Sequence, residues 1–135
     1  MSRNMDLTFS CVKDLENLSF SLSSTMGTLY SFANLSDKDK ETLAAKEAAR
    51  IQKKVEARQK ENPKYKLDNI KAQFITIGGE NCLNVSFDLS SSTEMDYIFV
   101  RDGKFISFDY QYPFDDAKRQ KAAVVKSAKS IRFNP

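Results

Sequence analysis

Eight basic residues, Lys46, Arg50, Lys53, Lys54, Arg58, Lys60, Lys64 and Lys66, fall between positions 46 and 66 against three acids, Glu47, Glu56 and Glu61. That segment is net +5 in a chain whose total is +3, leaving the rest net −2. A surface that meets phosphate or carboxylate groups is polarised in this way, and Arg50, Lys53, Lys54 and Arg58 are the candidate contacts with an anionic partner. A solvated helix face is the commoner origin of such a run. No aromatic residue alternates with these cations before Tyr65, so stacking readout of nucleic-acid bases is unsupported and the expected partner is a protein or an anionic surface.

Two carboxylates form a second constellation. Asp102-Gly103 favours a two-residue type I′ turn, which sets Val100 opposite Phe105 and Asp96 opposite Asp109. Facing carboxylates can hold a hard cation or share a proton. A hydrated, exposed sheet end is the simpler reading, because a calcium site gathers about 6 to 8 oxygens and no Asp-rich loop is present. The expectation is no metal and no cofactor. Gly78-Gly79 lacks the following Lys-Ser/Thr of a phosphate-binding loop and reads as a hairpin turn. The chain has no His, which removes the usual neutral-pH base, the Ser-His and Cys-His pairs and the commonest zinc ligand. Carboxylate, Lys or Tyr chemistry remains open, but no cluster of such groups seeds a cleft.

The elements that position these residues follow from periodicity. Met95 to Pro113 reads as a hairpin with Met95, Tyr97, Phe99, Ile106, Phe108 and Tyr110 on one face, taken as the core wall, and Asp96, Ile98, Val100, Phe105, Ser107 and Asp109 on the other. Strands over about Asp68 to Ile77 and Asn81 to Leu89 flank Gly78-Gly79. An even-length turn there puts Ile70, Ala72 and Phe74 on one face with Leu83, Val85 and Phe87. Upstream, Asp6 to Val12 and Leu18 to Ser23 alternate as a first hairpin, and Thr28 to Ala33 is a third short strand or an irregular lead-in.

Ser36 with Asp39 marks a capped helix start, and the Ala/Lys/Glu/Arg-rich stretch runs as a long helix to Asn62-Pro63, with Ala44, Ala48, Ile51 and Val55 as its inward stripe. Glu47 with Arg50 and Glu56 with Lys60 can pair on its exposed side. Asp115-Asp116 offers an N-cap and acidic first turn for a second helix over Ala117 to Ala128, with Val124, Ala128 and Ile131 inward and a basic outer face.

With 135 residues, 41% of them hydrophobic, the chain can bury a core without metal or disulfide staples, and it reads as one soluble α+β domain over residues 1–135. Cys11 and Cys82 lie in strand-like surroundings without C-x-x-C spacing, which favours buried free thiols; pairing in an exported protein needs their Cα atoms within about 7 Å. No stretch is apolar for the 18 or so residues of a membrane helix. The compartment is cytoplasmic if Met1 is the native start, and cell envelope or secreted if a leader has been removed.

Tyr97-Ile98-Phe99-Val100, Asp102-Gly103-Lys104, Ile106-Ser107-Phe108, a proline, a helix and the ending Ser130-Ile131-Arg132-Phe133 together resemble the PsbP/DcrB-like proteins, chiefly over residues 68–133. The resemblance implies an α/β sandwich in which helices pack on an antiparallel sheet. It also implies an accessory or envelope-associated role, including lipoproteins, with no shared active site. The expected fold is thus α+β, a single mainly antiparallel sheet with two principal helices packed on it. The expected function is a non-enzymatic accessory or binding protein. The alternatives are a cystatin-like or nuclear-transport-factor-like ligand-binding cone, whose sheet curves round the long helix, and a domain that binds an anionic partner through its basic helix.

Overall fold

The computed structural model describes residues 8–11, 31–101 and 103–133. In chain order the elements are β1 (Thr8–Cys11), α1 (Asp37–Glu61), β2 (Asp68–Ile77), β3 (Glu80–Asp88), β4 (Ser92–Arg101), β5 (Lys104–Pro113) and α2 (Ala117–Lys129). The strands form one antiparallel sheet in the order β1-β5-β4-β3-β2, a four-strand meander with β1 added beside β5. This is the expected α+β architecture, one antiparallel sheet carrying two helices.

Both hairpins take the register that side-chain parity requires. Ile77 pairs with Glu80 across a two-residue turn whose Gly78 and Gly79 have φ of 57° and 80°, angles a Cβ disfavours. Arg101 pairs with Lys104 and Val100 with Phe105, as Asp102-Gly103 predicts, and Gly103 has φ 72°. Asp102 itself, the proposed strand over Leu18 to Ser23 and residues 28–30 lie outside the described residues. The rest of the third proposed strand is turn and bend, so the irregular lead-in is the reading that holds there.

The expectation of a single core wall is corrected by the placement of the helices. Leu43 and Ala44 of α1 pack on Leu83, Val85, Ile98, Val100 and Phe105. Val124 and Ala128 of α2 pack on the opposite face, against Cys82, Met95, Tyr97, Phe99 and Tyr110. Ile98, Val100 and Phe105, on the face opposite the expected wall, are therefore core residues, 5%, 2% and 7% exposed. A strand covered on both faces needs apolar residues at successive positions, and Tyr97-Ile98-Phe99-Val100 supplies them.

Helix α1 begins as expected: the Ser36 hydroxyl accepts from the Asp39 N–H at 3.1 Å. Its buried side is Leu43, Ala44, Glu47 and Val55, with Ala48 and Ile51 half-buried. Residues 56–60 are exposed, so its last turns overhang the sheet as their composition suggests. Helix α2 departs from expectation at its start. Asp116 occupies the cap position with φ 64° and no capping bond, its carboxylate pairs with Arg119, and the first turn carries no acid. Past α2, Ile131 and Phe133 are irregular rather than strand, and the Phe133 ring lies 4.9 Å from that of Phe99 with the Arg101 guanidinium 4.6 Å above it.

Candidate functional site

Helix α1 approaches β2 most closely, and a groove of about 360 Å³ opens between its second half and the β3–β4 face. Arg50, Lys54, Arg58 and Tyr65 line its helix side. Val85, Phe87, Leu89 and Ile98 supply an apolar floor, and Glu94 and Asp96 an acidic one. The structure thus brings three of the four predicted cations to one groove and leaves Lys53 exposed and outside it.

These cations are not equivalent. Arg50 Nε donates to Glu47 Oε1 at 2.9 Å and its Nη2 to the other carboxylate oxygen, a bidentate pair. Glu47 is 2% exposed, so the expected surface pair is an anchored one reaching into the core. The Arg58 guanidinium stacks 5.5 Å above the Tyr65 ring, where Gln59 Nε2 also bonds the Tyr65 carbonyl at 3.2 Å. Glu56 accepts from Gln52 at 3.3 Å. Helix α2 carries Lys118, Arg119, Lys121, Lys126 and Lys129 with no acid, so the positive charge is shared by helices on opposite faces rather than confined to one.

The facing pair Asp96 and Asp109 stands directly across the β4–β5 ladder, as the hairpin register predicts. It is not a hydrated sheet end. Glu94, two residues before Asp96 and so on the same face, completes a trio in which one carboxylate oxygen from each residue lies within 4.8 Å of the other two, each residue half-buried. Asp96 Oδ1 is sealed from solvent with no hydrogen-bond partner. Asp109 Oδ1 accepts from the Ser107 hydroxyl at 2.7 Å, and Asn84 Nδ2 donates to the Asp96 carbonyl at 3.1 Å.

Burial above all, then the neighbouring charges of Glu94 and Asp109, push the Asp96 carboxyl well above the usual carboxylate range. Glu94 is also raised, chiefly by burial, though its hydrogen bond with Asp96 draws it down. The two carboxyls titrate together, and burial with their mutual repulsion favours a state in which the pair holds a proton. Glu94 was legible in principle by strand alternation from Asp96, and Glu47 by its three-residue spacing from Arg50.

A wider depression of about 990 Å³ follows the β2 edge from Ala48 of α1 round to Lys121 and Lys129 of α2. Cys82 is a free, buried thiol. Among the described residues no helix is long and apolar enough to cross a membrane. No family model matches the chain, and no curated protein or solved structure matches it either.

Proposed function

We propose that the chain is a non-enzymatic accessory or binding domain that holds an acidic protein partner against the outer side of α1. The carrying observation is that Lys53, Lys54 and Arg58 are exposed on consecutive turns of a helix whose far end overhangs the sheet, Lys53 away from the groove and Lys54 and Arg58 along its rim. A strongly hydrated cationic face with no exposed apolar ridge suits a charged protein surface. The order of meander, proline, helix and Ile131/Phe133 ending supports a PsbP/DcrB-like sandwich as the finer description, and with it an envelope-associated or lipoprotein setting.

Because Arg50 is anchored by Glu47, the test leaves it in place and changes Lys53, Lys54 and Arg58 together to Gln. Binding of a fluorescent polyglutamate peptide should be lost in that variant and should weaken steeply from low to physiological salt. Binding that survives the triple change but is lost when Lys118, Lys121 and Lys126 become Gln would move the site to α2. Salt-insensitive binding would remove both helices, and binding of anionic vesicles in preference to the peptide would replace the protein partner with a lipid surface.

A second reading is favoured by the apolar floor of Val85, Phe87, Leu89 and Ile98 beneath α1, which suits a small ligand with an apolar body and an anionic end, as in a ligand-binding cone. Leu89→Trp, at a half-buried position of the groove, should abolish uptake of a fatty-acid probe while the peptide still binds. An unchanged probe affinity would exclude the groove.

A further inference from the structure

The geometry points to a calcium site at Glu94, Asp96 and Asp109, a hard-cation centre built on two neighbouring strands beneath α1. It is independent of the basic outer face of the helix. Each of the three side chains places one carboxylate oxygen within 4.8 Å of the other two, and the second oxygen of each carboxylate is a further ligand within reach of a bidentate mode. An equilateral triangle with edges no longer than that has its centre at most about 2.8 Å from each corner, which puts the 2.3–2.6 Å of calcium–oxygen bonds within reach of little or no closure. Magnesium, at about 2.0–2.1 Å and with strict octahedral demands, would require a larger collapse of two hydrogen-bonded strands.

The second observation is Asp96 Oδ1. It is buried with no hydrogen-bond partner, and native structures rarely leave a buried carboxylate oxygen unsatisfied without a purpose. Among the described residues no ion pair reaches Asp96, and burial and the neighbouring acids all disfavour its charge. Glu47 engages Arg50, and Lys54 lines the helix side of the groove as an exposed side chain. A dication would meet Oδ1, relieve the repulsion among the three carboxylates and take its remaining ligands as water through the groove.

Calcium titration by calorimetry in EDTA-stripped protein, with thermal melts alongside, tests the site. The expected result is one ion per chain, a melting temperature that rises with calcium, and at least about ten-fold weaker binding in Asp96→Asn and Glu94→Gln but not in the control Asp115→Asn. Manganese added to the wild-type protein should broaden amide resonances around positions 94, 96 and 109 first, a readout that needs no variant. No heat and no shift at millimolar calcium would leave a proton-sharing cluster only and overturn the site. Binding that persists in Asp96→Asn, or broadening centred elsewhere, would also overturn it, and tighter binding of magnesium would overturn the choice of calcium.

Discussion

Asp96 and Asp109 face each other across β4 and β5, and the strand pairing that holds them there leaves Asp96 Oδ1 without a donor. Their stability cost has a definite sign. Asp96 titrates above its unfolded value of about 3.9, so both states are protonated in strong acid and no penalty exists there. As pH rises the unfolded chain loses this proton first, and the folded state becomes progressively less stable until the native carboxyl titrates too. The charged groups facing it are Glu94, Asp109 and, across the groove, Glu47, Arg50 and Lys54.

Asp96→Asn mimics the protonated form. In EDTA it should match the wild type near pH 4 and exceed it at pH 7 by on the order of 1–3 kcal/mol, the scale of an unsatisfied buried polar group. Urea melts at both pH values decide this. A variant less stable than wild type at pH 7 would show that the ionised carboxylate is favoured there.

The two phenylalanines of the hairpin's α2-side face differ in burial. Phe99 is 1% exposed and touches both Phe108 and Phe133, so Phe99→Ala should cost about 3–5 kcal/mol. Phe108 is only half-buried, and Phe108→Ala should cost roughly half as much. Equal losses in denaturant melts would mean that the Phe133 tail does not close over that end of the sheet.

The hairpins were readable because a period of two admits only even-length turns if Ala72, Phe74, Leu83 and Val85 are to share a face, and Gly-Gly and Asp-Gly suit the two-residue turns found. Ser36 was readable because its hydroxyl makes a local bond. Asp116 was misread as a capping side chain because its left-handed backbone redirects the carboxylate to Arg119, which residue type alone does not reveal. The second core wall was missed although Tyr97 to Val100, four apolar residues in succession, is the signature of a strand buried on both faces. The acidic site was half-seen. Asp96 and Asp109 followed from register, but Glu94 lay just before the stretch taken as the hairpin, and the burial that makes the trio chemically distinct depends on where α1 sits.

Cys82 should be inert until the fold opens. It is 0% exposed, and burial, only partly offset by a backbone hydrogen bond at Ile98, pushes its thiol up to about 12. In a Cys11→Ser background, a thiol reagent such as dithionitrobenzoate at pH 8 should react at a rate set by unfolding and should accelerate with urea in step with the melt. A fast, urea-independent reaction would place Cys82 at the surface.

The pairing of Glu47 with Arg50 decides whether Arg50 serves the fold or a partner. Glu47 lies on the buried side of α1 with Leu43 and Ala44, where a lone carboxylate would be strongly disfavoured, and Arg50 satisfies it through two bonds while remaining about 25% exposed. Glu47→Gln and Arg50→Gln should each destabilise the domain by roughly 1–3 kcal/mol, below the cost of a fully buried pair because the guanidinium keeps some solvent. The double variant should cost less than the sum of the singles by about 1 kcal/mol or more, since each single change strands the other's charge. Lys53→Gln and Lys54→Gln, on exposed positions, should stay within about 0.5 kcal/mol of wild type. Urea melts of all five variants give the cycle directly. Additive single effects would mean that the two side chains act independently, and would return Arg50 to the set of cations available to an anionic partner.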